Sequence, residues 1–244
     1  MGNRKKLVEL KPIRDLTETE WIQELEHIDN QLTHILDVVN FLEEFFQLNN
    51  KSEAAHRTFN TNPLFWKVLL DCLQESLFMG LGRLCDPSSD AVSVSRVVKG
   101  AMSHPEFFSA TALRQRLEER KLTKSLDDHL QANAWTPVSG GELRFLKTAI
   151  ASHLKRLEDS YLPIRNSYYG HRPIESDAST MFAETNRVEL WETLDMLRQL
   201  LGGLRFFYDN GAKPRVDIHG TKALDLVPRR SFRDLVQSVV GCEL

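Results

Sequence analysis

The feature that most constrains the fold is a long apolar stripe near the start of the chain. Its members recur at alternating steps of four and three residues, which is the spacing of a helix face that packs on other helices. They are Trp21, Leu25, Ile28, Leu32, Ile35, Val39, Leu42 and Phe46. Thr17 and Glu20 have the spacing of a capping box, so the helix is predicted to begin there and to end after about Leu48. A helix of about eight turns is typical of a helical bundle.

Two further helices are predicted in the next part of the chain. Asn62 and Pro63 form a typical helix start, and the polar residues 86–90 end the helix that follows. Gly80 and Gly82 lie within it, and we expect them to let another helix approach closely. A short helix is predicted over residues 93–102.

The second half of the chain also has helical spacing. Residues 104–134 are predicted to form a charged helix whose apolar face is Leu113, Leu117, Leu122, Leu126 and Leu130. A long helix is predicted from about residue 140 past Tyr168, with Pro163 kinking or restarting it, because proline removes a backbone donor. Residues 173–183 read as a polar connection, and residues 186–208 as the last long helix, closed by Asn210 and Gly211.

These patterns predict an all-α, up-and-down helical bundle with extra short helices. The predicted organisation is an N-terminal tail over residues 1–16, the bundle over 17–211, and a basic C-terminal tail with a short helix over 212–244. Residues 215–218 are the only weak candidate for a strand.

Composition excludes several classes of function. The formal net charge is -3, so nucleic-acid binding would need a local basic patch. The three cysteines, Cys72, Cys85 and Cys242, are too scattered for a disulfide framework or a zinc site. No apolar run reaches the length of a membrane span, and we expect a cytoplasmic protein with no membrane contact. No metal or organic cofactor is implied.

The chemistry of the chain is concentrated in the segment RNSYYGHR, which spans residues 165–172. Arg165 is a permanent cation that matches phosphate oxygens, and His171 has an imidazole whose ordinary pKa of about 6.5 suits proton transfer near neutral pH. Asn166 can orient either group. These residue types suit metal-independent cleavage of a phosphodiester in RNA, where the 2′-oxygen loses a proton and the 5′-oxygen gains one.

The spacing of Arg165 and His171 favours a shared site in a homodimer. On a straight α-helix, two residues six positions apart lie about 9 Å apart along the axis, which is far for joint contact with one phosphate. A kink at Pro163, or fraying of the helix at Gly170, would shorten that distance. A two-fold axis would instead bring together two arginines and two histidines, and this is the arrangement we expect.

An arginine, a polar residue and then a histidine at this spacing, late in an all-helical chain, resemble the signature of the HEPN superfamily. The chain is most similar to its abortive-infection, AbiU-like branch. Further similarities are residues 82–86 closing one helix, residues 93–96 starting the next, and Arg172 after His171. The resemblance covers about residues 21–209. One departure is Pro173, which stands where some members have a tyrosine that a partner enzyme modifies.

The resemblance implies a HEPN-type helical bundle and a metal-independent endoribonuclease of a toxin–antitoxin or phage-defence system. The implied catalytic residues are Arg165, Asn166 and His171. We expect Arg172, Tyr168 and Tyr169 to contact RNA, although Tyr168 also continues the apolar stripe of its helix. The implied partners are RNA, a second copy of the chain, and a cognate antitoxin or defence-system protein.

Structural interpretations compete with this reading. Arg165 could form an ordinary salt bridge, and His171 could be a cation favoured by the helix C-terminus. The chain would then be a non-catalytic HEPN-like module that binds RNA or a protein partner, with the stripe from Trp21 to Phe46 as one candidate surface. His153 reads as a satisfied core residue, and His27 and His34 as polar residues beside the stripe.

Overall fold

In a computed structural model, the chain is an all-α bundle. The structure describes residues 10–88, 91–121, 137, 139–171 and 185–213. Seven α-helices lie within these ranges, and no strand does: α1 Glu18–Lys51, α2 Glu53–Thr61, α3 Pro63–Leu84, α4 Val94–Ser103, α5 Ala110–Glu119, α6 Arg144–Arg156 and α7 Arg187–Asn210. The predicted fold class is therefore confirmed. None of the described helices is long and apolar enough to cross a bilayer.

The predicted helix starts follow from their caps. Thr17 and Glu20 form the expected capping box, and α1 runs for 34 residues. The Asn62 side chain accepts a hydrogen bond from the backbone of Phe65 at the start of α3. Gly211 takes the left-handed conformation at the end of α7, with φ of 71°. The predictions for α1, α3, α4 and α7 are thus confirmed.

Two parts of the chain differ from the predicted elements. α2, which was not among those elements, follows α1 directly, because the Ser52 side chain accepts from the backbone of Ala55 and starts a new helix. The predicted helix over residues 104–134 begins later, since Pro105–Phe108 form a 3-10 turn and Ser109 caps α5. Leu122, Leu126 and Leu130 lie outside the described residues, as do the connection 173–183, the candidate strand 215–218 and most of the basic tail.

α1 is the central helix of the bundle. It contacts α2, α3, α4 and α7, while α6 packs on α4 and α7. Trp21, at the start of the apolar stripe, is fully buried and donates a hydrogen bond from Nε1 to the carbonyl of Val97, at 3.0 Å. The other stripe residues are buried as well, apart from Phe46. The stripe therefore forms the core of the chain itself, and only Phe46 is left for an external partner.

The helix that carries the candidate site continues past α6. Helical structure extends from Arg144 to His171, through two π-helical segments, Leu157–Tyr161 and Ile164–His171. The backbone amide of Leu162 donates to the carbonyl of Leu157, five residues back. Of the two predicted effects of Pro163, a restart of the helix does not occur, because hydrogen bonds of longer register continue the helix past its missing donor.

Candidate active site at the end of the long helix

The segment Ile164–His171 lies against the C-terminal half of α3. Ile164 is 1% exposed and fixes the segment in the core. The next residue, Arg165, is partly buried, and Asn166 is exposed. The core therefore anchors the start of the segment, and the arginine lies where the packed surface meets solvent.

The structure covers the predicted site residues unequally. It describes the side chains of Arg165 and Asn166. It gives only the helical backbone of Tyr168, Tyr169 and His171, whose side chains are outside the described set, and Arg172 is outside the described residues altogether. The roles of all six predicted site residues stay predictions.

Gly82 provides the surface on which the Arg165 side chain rests. A methyl group at residue 82 would overlap Cδ of Arg165, and its distance to Cγ and Nε would be only 3.0 Å. Gly80, two residues earlier, faces α1 instead, and a methyl group there would lie 2.8 Å from Cγ1 of Ile35. Both glycines therefore permit the close helix approaches that were predicted for them.

Asp86 is the acidic partner of Arg165. Its Oδ2 lies 3.6 Å from Nη1 of Arg165, and about a quarter of the Arg165 side chain is exposed. At this distance the pair is electrostatic rather than a close, bidentate hydrogen-bonded pair. The carboxylate orients the guanidinium and leaves donors available for another anion.

Cys85 is a neighbour of this pair but has no activated thiol. Burial, followed by the charge of Glu158, raises the pKa of Cys85 to about 12. Arg165 acts in the opposite direction but does not offset the burial. The thiol is therefore protonated at neutral pH, and nucleophilic thiolate chemistry is not expected there.

The π-helical register brings Arg165 and His171 closer than an α-helix would. Hydrogen bonds from each residue to the fifth one before it widen the helix and shorten its rise per residue. The backbones of the two residues thus lie less than the about 9 Å apart along the axis that α-helical geometry gives.

The other histidines singled out in the sequence have ordinary roles. His153 packs on α7, with Nδ1 3.2 Å from Oγ1 of Thr193, and burial lowers its pKa. His34 lies 3.0 Å from the hydroxyl of Ser76, and His27 contacts Gln31. No group of three or more metal-binding side chains is found in the part of the chain that the structure describes.

Comparison with protein families identifies the fold type. The HEPN_AbiU2 family model, described as AbiU2, matches residues 18–221. The chain belongs to this family. The match confirms the resemblance to the AbiU-like branch of the HEPN superfamily and makes the bundle a HEPN module of abortive-infection type. No curated protein and no solved structure matches the chain.

Asp86 and Gly82 are the site residues that sequence reasoning did not assign to Arg165. Asp86 was noted only at the end of a helix, and Gly82 there and as a position where another helix approaches closely. The available signal was their spacing, since a glycine and an acid four positions apart lie on one face of a helix end. That signal could not identify the partner, because Asp86 and Arg165 are 79 positions apart in the sequence.

Proposed function

We propose that this AbiU2-family protein is a metal-independent endoribonuclease of a toxin–antitoxin or phage-defence type. The active site is composite and lies at a homodimer interface, where each chain contributes Arg165, Asn166 and His171. Arg165 holds the scissile phosphate, His171 transfers protons, and Asn166 positions one of them. Arg172, Tyr168 and Tyr169 contact the RNA around the cleavage point.

One observation supports this proposal most strongly: Arg165 is held in place but not neutralised by a close pair. Its stem rests on Gly82, its guanidinium is 3.6 Å from a single carboxylate, and a quarter of the side chain is exposed. A preorganised cation of this kind stabilises charge that develops on a phosphate, because its orientation requires no rearrangement during the reaction.

The proposed reaction uses two imidazoles to transfer its protons and needs no metal ion. One His171 takes the proton from the 2′-hydroxyl, and the 2′-oxygen attacks the phosphorus. The P–O5′ bond breaks, and the partner's His171 gives a proton to the leaving 5′-oxygen. The products are a 2′,3′-cyclic phosphate and a 5′-hydroxyl. The guanidinium of Arg165 binds the non-bridging oxygens throughout.

Cleavage of single-stranded RNA by purified variants tests the assignment. We expect Arg165→Ala and His171→Ala each to lower the cleavage rate by about 10²-fold or more, with unchanged helix content by circular dichroism. Chelators should not inhibit the wild type. Arg198→Ala is a matched control, because Arg198 also pairs loosely with one aspartate, Asp195, at 3.5 Å.

The control variant should cleave like the wild type. Light scattering should give a particle of twice the 28.1 kDa chain mass under cleavage conditions. Equal cleavage by the wild type and both site variants would end the assignment of this site. Full activity of a monomer would disprove the proposal that two chains share one active site.

A second candidate is a non-catalytic module that binds a protein partner such as a cognate antitoxin. The first two turns of α3 favour it, because Leu64, Phe65 and Val68 are 71%, 54% and 53% exposed. Phe65 lies about 25 Å along the helix from Gly82, so this apolar face is distant from Arg165. Retention of a partner by the wild type, with no cleavage of any RNA, would favour this candidate.

A further inference from the structure

A cavity of about 580 Å³ lies beside the Arg165–Asp86 pair. Asp86 forms part of its wall, and the start of α4 forms another part through Ser93, Ser95 and Arg96. Residues 10–13, Pro87, Ser88, Lys99 and Glu158 complete the wall. The same carboxylate that orients Arg165 therefore faces a second space large enough for a small ligand.

Ser93 is a buried polar side chain without a hydrogen-bond partner. It is 2% exposed and occupies the N-cap position of α4, yet its hydroxyl makes no capping hydrogen bond. Nor does any other described residue bond to it. The first backbone N–H groups of a helix have no partners within the helix and attract anions. Ser93 and the first turn of α4 thus offer unused donors to the cavity.

Arg96 adds a further buried donor to the same wall. It is 6% exposed, and its Nε and Nη2 donate to Glu24 and to the carbonyl of Lys11, at 2.7 to 3.0 Å. Nη1 has no acceptor among the residues that the structure describes. Because the other two nitrogens are engaged, Nη1 is the part of this guanidinium left for a ligand.

A second cavity, of about 320 Å³, adjoins the first. The two share Ser95, Lys99 and Glu158 in their walls, and the second continues between α4 and α6 past Lys147 and Lys155. With Lys11 in the first cavity, four lysines line the two, against the acids Asp86, Glu158 and Asp159. Lys11 is paired with Glu20 at 2.6 Å, so Lys99, Lys147 and Lys155 remain beside three acids, and the groove presents both signs of charge.

We propose that these two adjoining cavities form one groove that binds the RNA strand next to the scissile phosphate. The groove is defined by Ser93, Ser95, Lys99, Lys147, Lys155 and Glu158. A phosphate of the strand binds at the start of α4, and the lysines bind the phosphates that follow. The carboxylates of Asp86 and Glu158 accept hydrogen bonds from ribose hydroxyls or base amino groups. This inference rests on the proposed nuclease function and extends it to the path of the substrate.

The chemistry of the groove selects RNA over a simple anion. Glu158 lines both cavities, and its carboxylate would repel a bare phosphate bound there. A nucleotide instead presents acceptor oxygens on its phosphate and donor groups on its sugar and base, which matches both walls. Since Asp86 touches both the groove and Arg165, the nucleotide bound in the first cavity is the direct neighbour of the one cleaved.

Binding of a short single-stranded RNA at several salt concentrations tests the groove. The variants are Lys99→Glu and Lys147→Glu, and the matched control is Lys67→Glu, an exposed lysine of α3 outside both cavities. Each groove variant should raise Kd by about tenfold. It should also reduce the slope of log Kd against log salt concentration by about 0.7 for each lost phosphate contact. Lys67→Glu should have no effect beyond about twofold.

Ser93→Ala tests the site at the start of α4 without a change of charge. It should raise the Kd for RNA about threefold, and inorganic phosphate should compete only weakly. Equal RNA affinity of the groove variants and the control would overturn the inference. So would a mononucleotide that binds tightly in a manner dependent on Ser93 while RNA binding is unaffected, because that result would assign the cavity to a free ligand.

Failure of the groove and failure of the nuclease are distinguishable. If cleavage depends on Arg165 and His171 but RNA binding does not depend on Lys99, the nuclease stands and the groove is wrong. If no RNA is cleaved but binding depends on Lys99 and Lys147, the groove is supported and the catalytic assignment fails.

Discussion

Two arginines at different places in the bundle show how the same residue type serves two purposes. Arg116, on α5, has a side chain that is 10% exposed, and it contacts Glu18 at 2.5 Å. It also donates to the carbonyls of Phe107 and Tyr208 and lies 4.0 Å over the Tyr208 ring. Arg165 has a side chain that is 25% exposed and one carboxylate 3.6 Å away.

The difference lies in how many donors the chain itself uses. The partners of Arg116 come from three separate parts of the chain, so this residue joins α1, α5 and α7 and has little left for a ligand. Arg165 is positioned by packing on Gly82 and by one carboxylate that lies beyond hydrogen-bond distance. Packing fixes the direction of a cation without neutralising it, which is the condition for holding a phosphate.

Replacement of Arg116 should have the largest effect on stability. We expect Arg116→Met to lower the free energy of unfolding by about 3 kcal/mol, because two buried carbonyls and Glu18 lose a donor. Arg165→Met should change it by less than about 1 kcal/mol, as for a partly exposed pair. Urea denaturation of both variants measures this. Similar stability losses would remove the distinction between the two arginines.

Gly82→Ala tests whether cleavage depends on the position of the Arg165 side chain, because the arginine itself is kept. The added methyl group displaces the arginine side chain, and we expect cleavage to fall by about tenfold to 10²-fold. Gly80→Ala is the matched control, because its methyl group meets Ile35 of α1 instead. The measurement is the rate of RNA cleavage by each variant, divided by the fraction of its molecules that is folded.

The control should lose stability but keep its rate of cleavage per folded molecule. Overpacking against the buried Ile35 costs typically about 1–3 kcal/mol, whereas the Arg165 side chain can move aside, so Gly80→Ala should be the less stable variant in urea denaturation. If Gly80→Ala lowers cleavage as much as Gly82→Ala does, the site responds to any disturbance of α3, and the specific support of Arg165 by Gly82 is wrong.

The helical core was predictable because its determinants are local. The capping box at Thr17, the Asn62 cap and the glycine after α7 act within one turn of the residues that carry them. α2 was missed because its cap, Ser52, follows α1 without a break, and a helix of 9 residues has no long stripe. The effect of Pro163 depended on the register of the whole helix rather than on the proline alone.

The candidate site was predictable only in part, for a related reason. Arg165, Asn166 and His171 are close in sequence, so their spacing was visible. Asp86 and Gly82 come from a different helix, and only packing shows that they contact Arg165. The groove was also invisible, because Lys99 and Lys147 meet only where α4 crosses α6. Local chemistry can be read from a sequence, whereas the neighbours that orient it depend on the tertiary structure.

The smallest expected effect concerns the two histidines of the long helix. His153 packs beside Thr193, and burial lowers its pKa from 6.5. The unfolded chain therefore binds this proton more readily, so His153 contributes its full stability above pH 6.5, and that contribution is lost as the pH falls through the lower folded pKa. We expect the free energy of unfolding to change by only a fraction of the about 1.4 kcal/mol per pH unit that uptake of one whole proton would cause.

His153→Gln should flatten this dependence and leave the pH profile of cleavage unchanged, since His153 lies outside the site. Urea denaturation between about pH 8 and about pH 5 measures the contribution of His153 to stability without that of Glu20. The carboxyl pKa of Glu20 is lowered to about 2, so Glu20 affects stability only below pH 4.5. His171 is expected to show the reverse, a cleavage profile that depends on it and a stability that does not. A cleavage profile altered by His153→Gln would mean that the core of α6 and the reaction centre titrate as one unit, and that the separation between structural and catalytic groups on this helix does not hold.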